Sequence, residues 1–317
     1  MGLNKFVLTG VDMLCYESVN GRSWNRVAID GDWRRMAVMD AACSEDTVVL
    51  LVGGQPEWAG DNRRILFSNK LGDFKVHRFE GKRQRLNGEG EMLEDREQKR
   101  RDDLHRLDTI VYGNNRFLAT GGQPAHGNKV WTRSRSGRDW EQDLNYWKSW
   151  NIGQVRTLVH GGDRFLGIGD FKRISVTEDG ETWKFNRDKD RPAWLSAAYG
   201  NGIFVAGGLH GLHGISRDGL TWENLEEGEI GHHLNAMITT GGGFIGLGTQ
   251  VAYFSDNGRS WRVENIEPRL RQVAYGNGVF VGFDVASRKL MRSTDALTWE
   301  EIELDTEQPS FTSVRFL

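Results

Sequence analysis

A seven-residue pattern recurs along this chain, and a repeat of that kind restricts the possible folds more than any other property of a sequence. The copies are SVNGRSW (18–24), SNKLGDF (68–74), SRSGRDW (134–140), TEDGETW (177–183), SRDGLTW (216–222), SDNGRSW (255–261) and STDALTW (293–299). From Trp140 onward their last aromatics are 43, 39, 39 and 38 residues apart, and the two earlier steps are 50 and 66. A second motif precedes most copies: YGNNRFLATGG (112–122), HGGDRFLGIGD (160–170), YGNGIFVAGG (199–208), TGGGFIGLGT (240–249) and YGNGVFVGF (275–283).

Each unit reads as four short strands. An apolar run such as RQVAY (271–275) leads into a Gly-Asn-Gly turn and a second apolar run, VFVGF (279–283). A third strand enters the Ser-x-Asp-Gly turn and a fourth starts at the Trp. Gly, Asn and Asp accept the backbone angles that tight hairpins need, so such turns between apolar runs are hairpin signals. Four strands in about 40 residues is the arithmetic of a β-propeller blade. At the ends, NKFVLTG (4–10) enters as a second strand without its first, and SFTSVRFL (310–317) supplies a first strand and stops.

The expected fold is therefore all-β: a seven-bladed β-propeller of four-stranded antiparallel blades, a single domain over 1–317, with the C-terminal strand closing the ring on the N-terminal blade. The expected blades are 310–317 with 4–31, 32–81, 104–144, 155–186, 194–225, 233–266 and 268–303. The charged segment 82–103 is an insertion, read as a short solvated helix or flap.

The turn motif resembles the Asp-box, or BNR repeat, of sialidases and other propeller proteins, over essentially the whole chain. Asn20, Asp179, Asp218, Asn257 and Asp295 match its acidic position; Lys70 and Ser136 depart from it. The resemblance implies that these residues are structural, the carboxylate bonding turn amides and the Trp packing between blades. The Phe-Arg-Ile-Pro type motif of the sialidase active site is absent, and NRRIL (62–66) does not replace it.

Composition excludes some functions. The 41 basic and 44 acidic side chains give a net charge of −3, not the excess of positive charge expected of a nucleic-acid binder. No apolar run reaches the length of a membrane span, and the N-terminal segment lacks the features of a signal peptide. Cys15 and Cys43 make neither a disulfide framework nor a metal knuckle, so a cytoplasmic or virion-assembled protein is expected over a secreted one. No cofactor motif is present, and the histidines at 210, 213, 232 and 233 lack an ordered ligand spacing, so no metal is expected.

Six of the 12 Trp residues belong to the turns. Of the others, Trp33, Trp58, Trp147, Trp150 and Trp194 are placed by strand alternation on the face opposite the turns. An indole offers a flat apolar ring and one donor, which suits a sugar ring or a protein partner. Arg35, Arg156 and Arg271 occupy similar places at the start of innermost strands, with Asp108 and Asn235 at comparable places. Arg173 follows a second strand on the same face, where guanidinium groups suit carboxylate or sulfate. The loops GGQPEWAGDN (53–62) and GGQPAHGN (121–128) set Trp58 against His126, and LHGLHG adds His210.

Three function classes follow. The first is a non-catalytic binding propeller that takes an extended polar ligand, a glycan foremost, through Trp33, Arg35, Trp58, His126, Trp147, Trp150, Arg156, Arg173, Trp194, His210 and Arg271. The second is a glycoside hydrolase or lyase of the Asp-box type, for which Asp108, Asp170 and Asp284 are the available acids. The third is a protein–protein assembly module, such as a phage virion component or an assembly factor. Catalysis is the lesser reading because no pair of acids is placed together by the sequence.

Overall fold

The computed structural model describes residues 2–33, 36–54, 64–79, 107–122, 129–141, 145–147, 155–169, 173–187, 193–225, 232–306 and 310–317. Among them are β1 (Phe6–Gly10), β2 (Cys15–Ser18), β3 (Asn25–Arg26), β4 (Met36–Cys43), β5 (Val48–Gly54), β6 (Arg64–Ser68), β7 (Lys75–Arg78), β8 (Leu107–Gly113) and β9 (Arg116–Gly122). There follow β10 (Lys129–Ser134), β11 (Asn145–Trp147), β12 (Val155–Gly161), β13 (Arg164–Gly169), β14 (Arg173–Thr177), β15 (Lys184–Arg187), β16 (Trp194–Gly200), β17 (Ile203–Gly208) and β18 (Gly211–Ser216). The last are β19 (Glu223–Asn224), β20 (Leu234–Thr240), β21 (Gly243–Ser255), β22 (Arg262–Gly276), β23 (Val279–Asp284), β24 (Lys289–Ser293), β25 (Glu300–Ile302) and β26 (Phe311–Phe316).

These strands form an all-β propeller, but its count corrects the expected seven four-stranded blades. Among the described residues there are six sheets, five of four strands and one of six, which gives six blades. The cause is β22, which continues through the boundary expected between 266 and 268. Its first part pairs with β21 (Val263↔Tyr253, Asn265↔Val251) and its last part with β23 (Leu270↔Asp284, Tyr275↔Phe280), so two repeat units share one six-stranded sheet β20–β25. The inner strands β4, β8, β12, β16 and β20 pack in sequence. The second half of β22 and then β26 complete the circuit back to β4. β26 is hydrogen-bonded to β1 (Leu8↔Val314), so the two ends of the chain lie in one sheet.

The Ser-x-Asp-Gly turns repeat one hydrogen-bond scheme. At 216–222 the Gly219 amide donates to Ser216 Oγ at 2.8 Å, and the Leu220 and Thr221 amides donate to Asp218 Oδ1 at 2.8 and 2.7 Å. Trp222 Nε1 donates to the Gly219 carbonyl at 2.8 Å. Asn20 and Asn257 do the same with an amide oxygen, and Ser136 with its hydroxyl, at 3.0 and 3.1 Å to the amides of Arg138 and Asp139. The departure at Ser136 is therefore one of charge and not of geometry. At 177–183 the Gly180 carbonyl is taken by Trp131 of the preceding unit, at 2.8 Å.

Polar side chains stitch each unit to the next. Asn114 Nδ2 donates to the carbonyls of Asp163 and Glu178, Asn201 Nδ2 to Asp256, and Asn277 Nδ2 to Val19. Because Asn114 uses its nitrogen this way, its Oδ1 is the acceptor for His160 Nε2 at 2.9 Å. Arg116 and Arg164 reach the carbonyls of Asp179 and Asp218 in the following turns.

One buried charge sits among the inner strands. Asp40, 2 % exposed on β4, accepts from Arg315 Nε (2.8 Å) and Nη2 (2.7 Å) and from Ser313 Oγ (2.7 Å) of β26. It also accepts from the Thr109 hydroxyl and the Ile110 amide of β8, both at 3.1 Å. Five donors compensate the desolvation that would otherwise raise its pKa, and the Arg315 guanidinium leads in holding it below the usual carboxylate range.

Candidate binding site

Each inner strand starts with the same irregularity. The register slips between Leu107 and Thr109, Val155 and Thr157, Trp194 and Ser196, Leu234 and Ala236, and Leu270 and Val273. An extra residue of this kind bends its strand and re-aims a side chain. Asp108, Arg156, Asn235 and Arg271 all fall in these bulges. In β4 the slip lies between Val38 and Asp40, so Met39 holds that position. Arg35 lies outside the described residues.

The other expected ligand contacts divide three ways. Trp58, His126 and Trp150 lie outside the described residues, and so do the side chains of Trp147 in β11 and Arg156 in β12. Trp194 is 3 % exposed, with its ring centroid 4.4 Å from that of Trp222 at 70°, so it belongs to the core and cannot reach a ligand. Trp33 is half-buried; its Nε1 donates to the Asp30 carbonyl at 2.8 Å and the Arg64 guanidinium lies 5.6 Å from its ring centre. Arg173 is half-buried at the start of β14. His210 is exposed with φ 70°, and its amide donates to His233 Nδ1 at 3.2 Å. That bond puts the His233 proton on Nε2, a poor arrangement for binding a metal. Among the described residues no cluster of three or more His, Cys, Asp or Glu side chains could hold one.

Arg271 is exposed and lines a groove of about 800 Å³. The groove lies at the end of the ring opposite the Ser-x-Asp-Gly turns, because antiparallel alternation puts the β23–β24 loop there. Phe283, Asp284, Val285, Ser287, Arg288 and Lys289 supply one side of the groove, and Ser310 and Phe311 supply the other. Phe283 and Phe311 stack with centroids 4.7 Å apart at 14°, giving an apolar floor, and Val285 is 54 % exposed above it. Lys289 is paired with Glu301. Among the described residues neither Arg271 nor Arg288 has an acidic partner; at the turn end Arg22, Arg133, Arg259 and Arg292 are paired, whereas Arg135 and Arg217 are not.

Asp284 is committed to the loop itself. It accepts from the amides of Arg269 (3.0 Å), Ala286 (3.1 Å) and Ser287 (3.2 Å) and from the Ser287 hydroxyl (2.7 Å). Burial would raise its pKa, but these donors, the Ser287 hydroxyl foremost, hold it below the usual range. A carboxylate so placed stays ionised and is a poor proton donor. Asp108 is half-buried in β8, and Asp170 lies outside the described residues.

Sequence reasoning named Arg271 but not Phe283, Val285, Arg288 or Phe311, which line the same groove. The Phe residues read as ordinary strand apolars, and only the placement of β26 beside β23 turns them into one surface. The loop VASRK does carry two cations, but so does FKR at 171–173, so the repeat alone did not single out Arg288.

The fold defines the class: a β-propeller whose repeated turns supply the framework. No family model matches the chain, and no curated protein matches it. Solved structures do. A structure of YCF48 bound to D1 peptide is similar with a TM-score of 0.58 at 13 % identity, covering 92 % of this chain and 89 % of that one. YCF48 from Cyanidioschyzon merolae is similar with a TM-score of 0.57 at 12 % identity, over 88 % of each chain. Virginiamycin B lyase from Staphylococcus aureus gives 0.60 at 9 % identity, over 86 % and 85 %. At such identities the likeness is one of fold, which hosts binding, lyase and assembly roles alike. No helix among the described residues is long and apolar enough to cross a membrane.

Proposed function

We propose that this chain is a non-catalytic binding propeller of the Asp-box type that holds an extended, negatively charged polar ligand, an acidic glycan foremost, at the end of the ring opposite its turns. The observation that carries the reading is the groove at Arg271 and Arg288. Its two guanidinium groups are exposed and, among the described residues, without acidic partners, beside an apolar floor of Phe283 and Phe311. Guanidinium forks grip carboxylate or sulfate, and the half-buried Phe311, backed by the buried Phe283, with the exposed Val285 offers an apolar contact to a sugar ring. Trp33, Arg173 and His210 belong to the same end and would extend the contact. Catalysis is disfavoured because Asp284, the described acid in this groove, is held ionised by its own loop.

The test is a glycan array containing uronate-bearing, sulfated and neutral chains, run beside a hydrolysis and lyase assay on the same panel. Binding to charged chains that weakens as salt rises, without turnover, is the expected result. Turnover of any member overturns the non-catalytic reading. A second reading, a protein partner, draws on the similar propeller solved with a bound peptide. An empty array together with capture of an acidic peptide would favour it.

A further inference from the structure

The groove is assembled from both sides of the junction that closes the ring. Arg271, Phe283 and Arg288 come from the six-stranded sheet and its β23–β24 loop, whereas Ser310 immediately precedes and Phe311 begins β26, the strand that pairs with β1. On its other flank β26 is held by the Arg315 and Ser313 bonds to Asp40 and by the Thr312 hydroxyl, which donates to the Val38 carbonyl. Nothing covalent ties β26 to β1 except the length of the chain between them. The same strand thus forms a wall of the groove and the closure of the ring.

We propose that ligand binding in this groove is coupled to ring closure: an anionic polysaccharide seated between Arg271, Arg288 and Phe311 locks β26 in place. The inference rests on the proposed reading of the groove as an anion-binding site. If β26 lifts, Ser310 and Phe311 leave the groove, so a ligand that touches both sides binds the closed arrangement alone. Its binding free energy is then added to the cost of opening. At a ligand concentration of about 100 times Kd, opening is suppressed about 100-fold. Local opening of a terminal strand is the event that amide exchange reports.

The experiment is amide hydrogen exchange on the full chain, alone and with oligogalacturonate as a carboxylate probe, dextran sulfate as a sulfate probe and dextran as the neutral control. Calorimetry on the same samples gives the affinity. A charged probe at about 100 times its Kd is expected to slow the amides of 311–316 and 6–10 by about 100-fold, leaving those of 203–208 unchanged. In an Arg271→Ala/Arg288→Ala variant the slowing is lost. Thr312→Val removes the bond to the Val38 carbonyl and the hydroxyl contact with Thr9, and Thr312 does not line the groove, so its 311–316 amides should exchange faster and be slowed again by the probe. Ser313→Ala, which takes one donor from Asp40, serves if that variant does not fold. A charged probe that binds by calorimetry without slowing 311–316 overturns the coupling and leaves the binding reading standing. Failure of both charged probes to bind overturns both.

Discussion

The Asp179 carboxylate accepts from the amides of Glu181 and Thr182, each at 2.8 Å, and from the Thr177 hydroxyl at 3.0 Å. Burial works against its ionisation, but these donors prevail and its pKa is held at about 2. A carboxyl depressed in the folded state adds stability above its unfolded pKa and loses it as pH falls through the folded value. The melting temperature should therefore fall between about pH 4 and pH 2, and Asp179→Asn should flatten part of that fall. The variant should fold, because Asn20 and Asn257 accept the same bonds with an amide oxygen, but near neutral pH it should melt lower than the parent, having lost what the ionised carboxylate adds there; thermal melts of both proteins from about pH 2 to pH 7 check it. Residue identity made these turns legible in the sequence, since the motif itself specifies the bonds. It could not separate Trp194 from the other Trp residues outside the turns, because an indole at the start of an inner strand faces ligand or core according to its neighbour's packing. Trp194 and Trp222 pack edge to face, at 3 % and 8 % exposure, so alanine at either should cost about 3–5 kcal/mol of stability. Chemical denaturation measures this, and a ligand affinity that falls at Trp194→Ala without loss of stability would contradict the burial.

At the scale of the strand, the alternation and the turns were readable, and the continuity of β22 was not. The repeat spacing puts a unit boundary between 266 and 268, and Pro268, which has no N–H to donate, stands at it. It falls in the irregular stretch between Asn265, paired with Val251, and Arg269, paired with Thr249, where the ladder asks nothing of it. The chain stays extended and passes from one partner strand to the next. The inner strands also end in a shared device: Gly113, Gly161 and Gly276 each lie directly beneath the ring of His160, Tyr199 or Phe316 from the following inner strand. A Cβ at Gly276 would stand 2.1 Å from Phe316 Cδ2, well inside contact distance, so the ring must move. Gly276→Ala should displace Phe316, which also packs on Phe6 with centroids 5.0 Å apart, and so loosen β26. Faster amide exchange over 311–316 than over 203–208 is the expected signature.

Across the whole molecule, the ring depends on a short C-terminal strand that meets β1 by hydrogen bonds and β4 through a buried ion pair. The pairing of the chain ends could be argued from the missing first strand at the N-terminus. The Asp40–Arg315 pair could not, because its members are 275 positions apart and only the register of β26 brings them together. Asp40 is 3 % exposed at its side chain, whereas Arg315 retains 40 %, so the arginine reaches from the surface to a carboxylate that water does not. Removing one member of such a pair leaves a charge in a place where it cannot be hydrated, at a cost of about 3–5 kcal/mol. Deleting residues 310–317 does this and more: it strips Asp40 of its Arg315 and Ser313 donors and bares the edge of β1 (Phe6, Val7 and Leu8 are 0 % exposed). An unpaired apolar edge is a template for intermolecular strand pairing. The deletion should therefore aggregate, not fray locally, while Arg315→Ala should remain folded with a melting temperature lowered in proportion to the lost pair. Size-exclusion chromatography with thermal denaturation separates the two, and a soluble, cooperatively melting 1–309 fragment would show that β26 does not hold the ring.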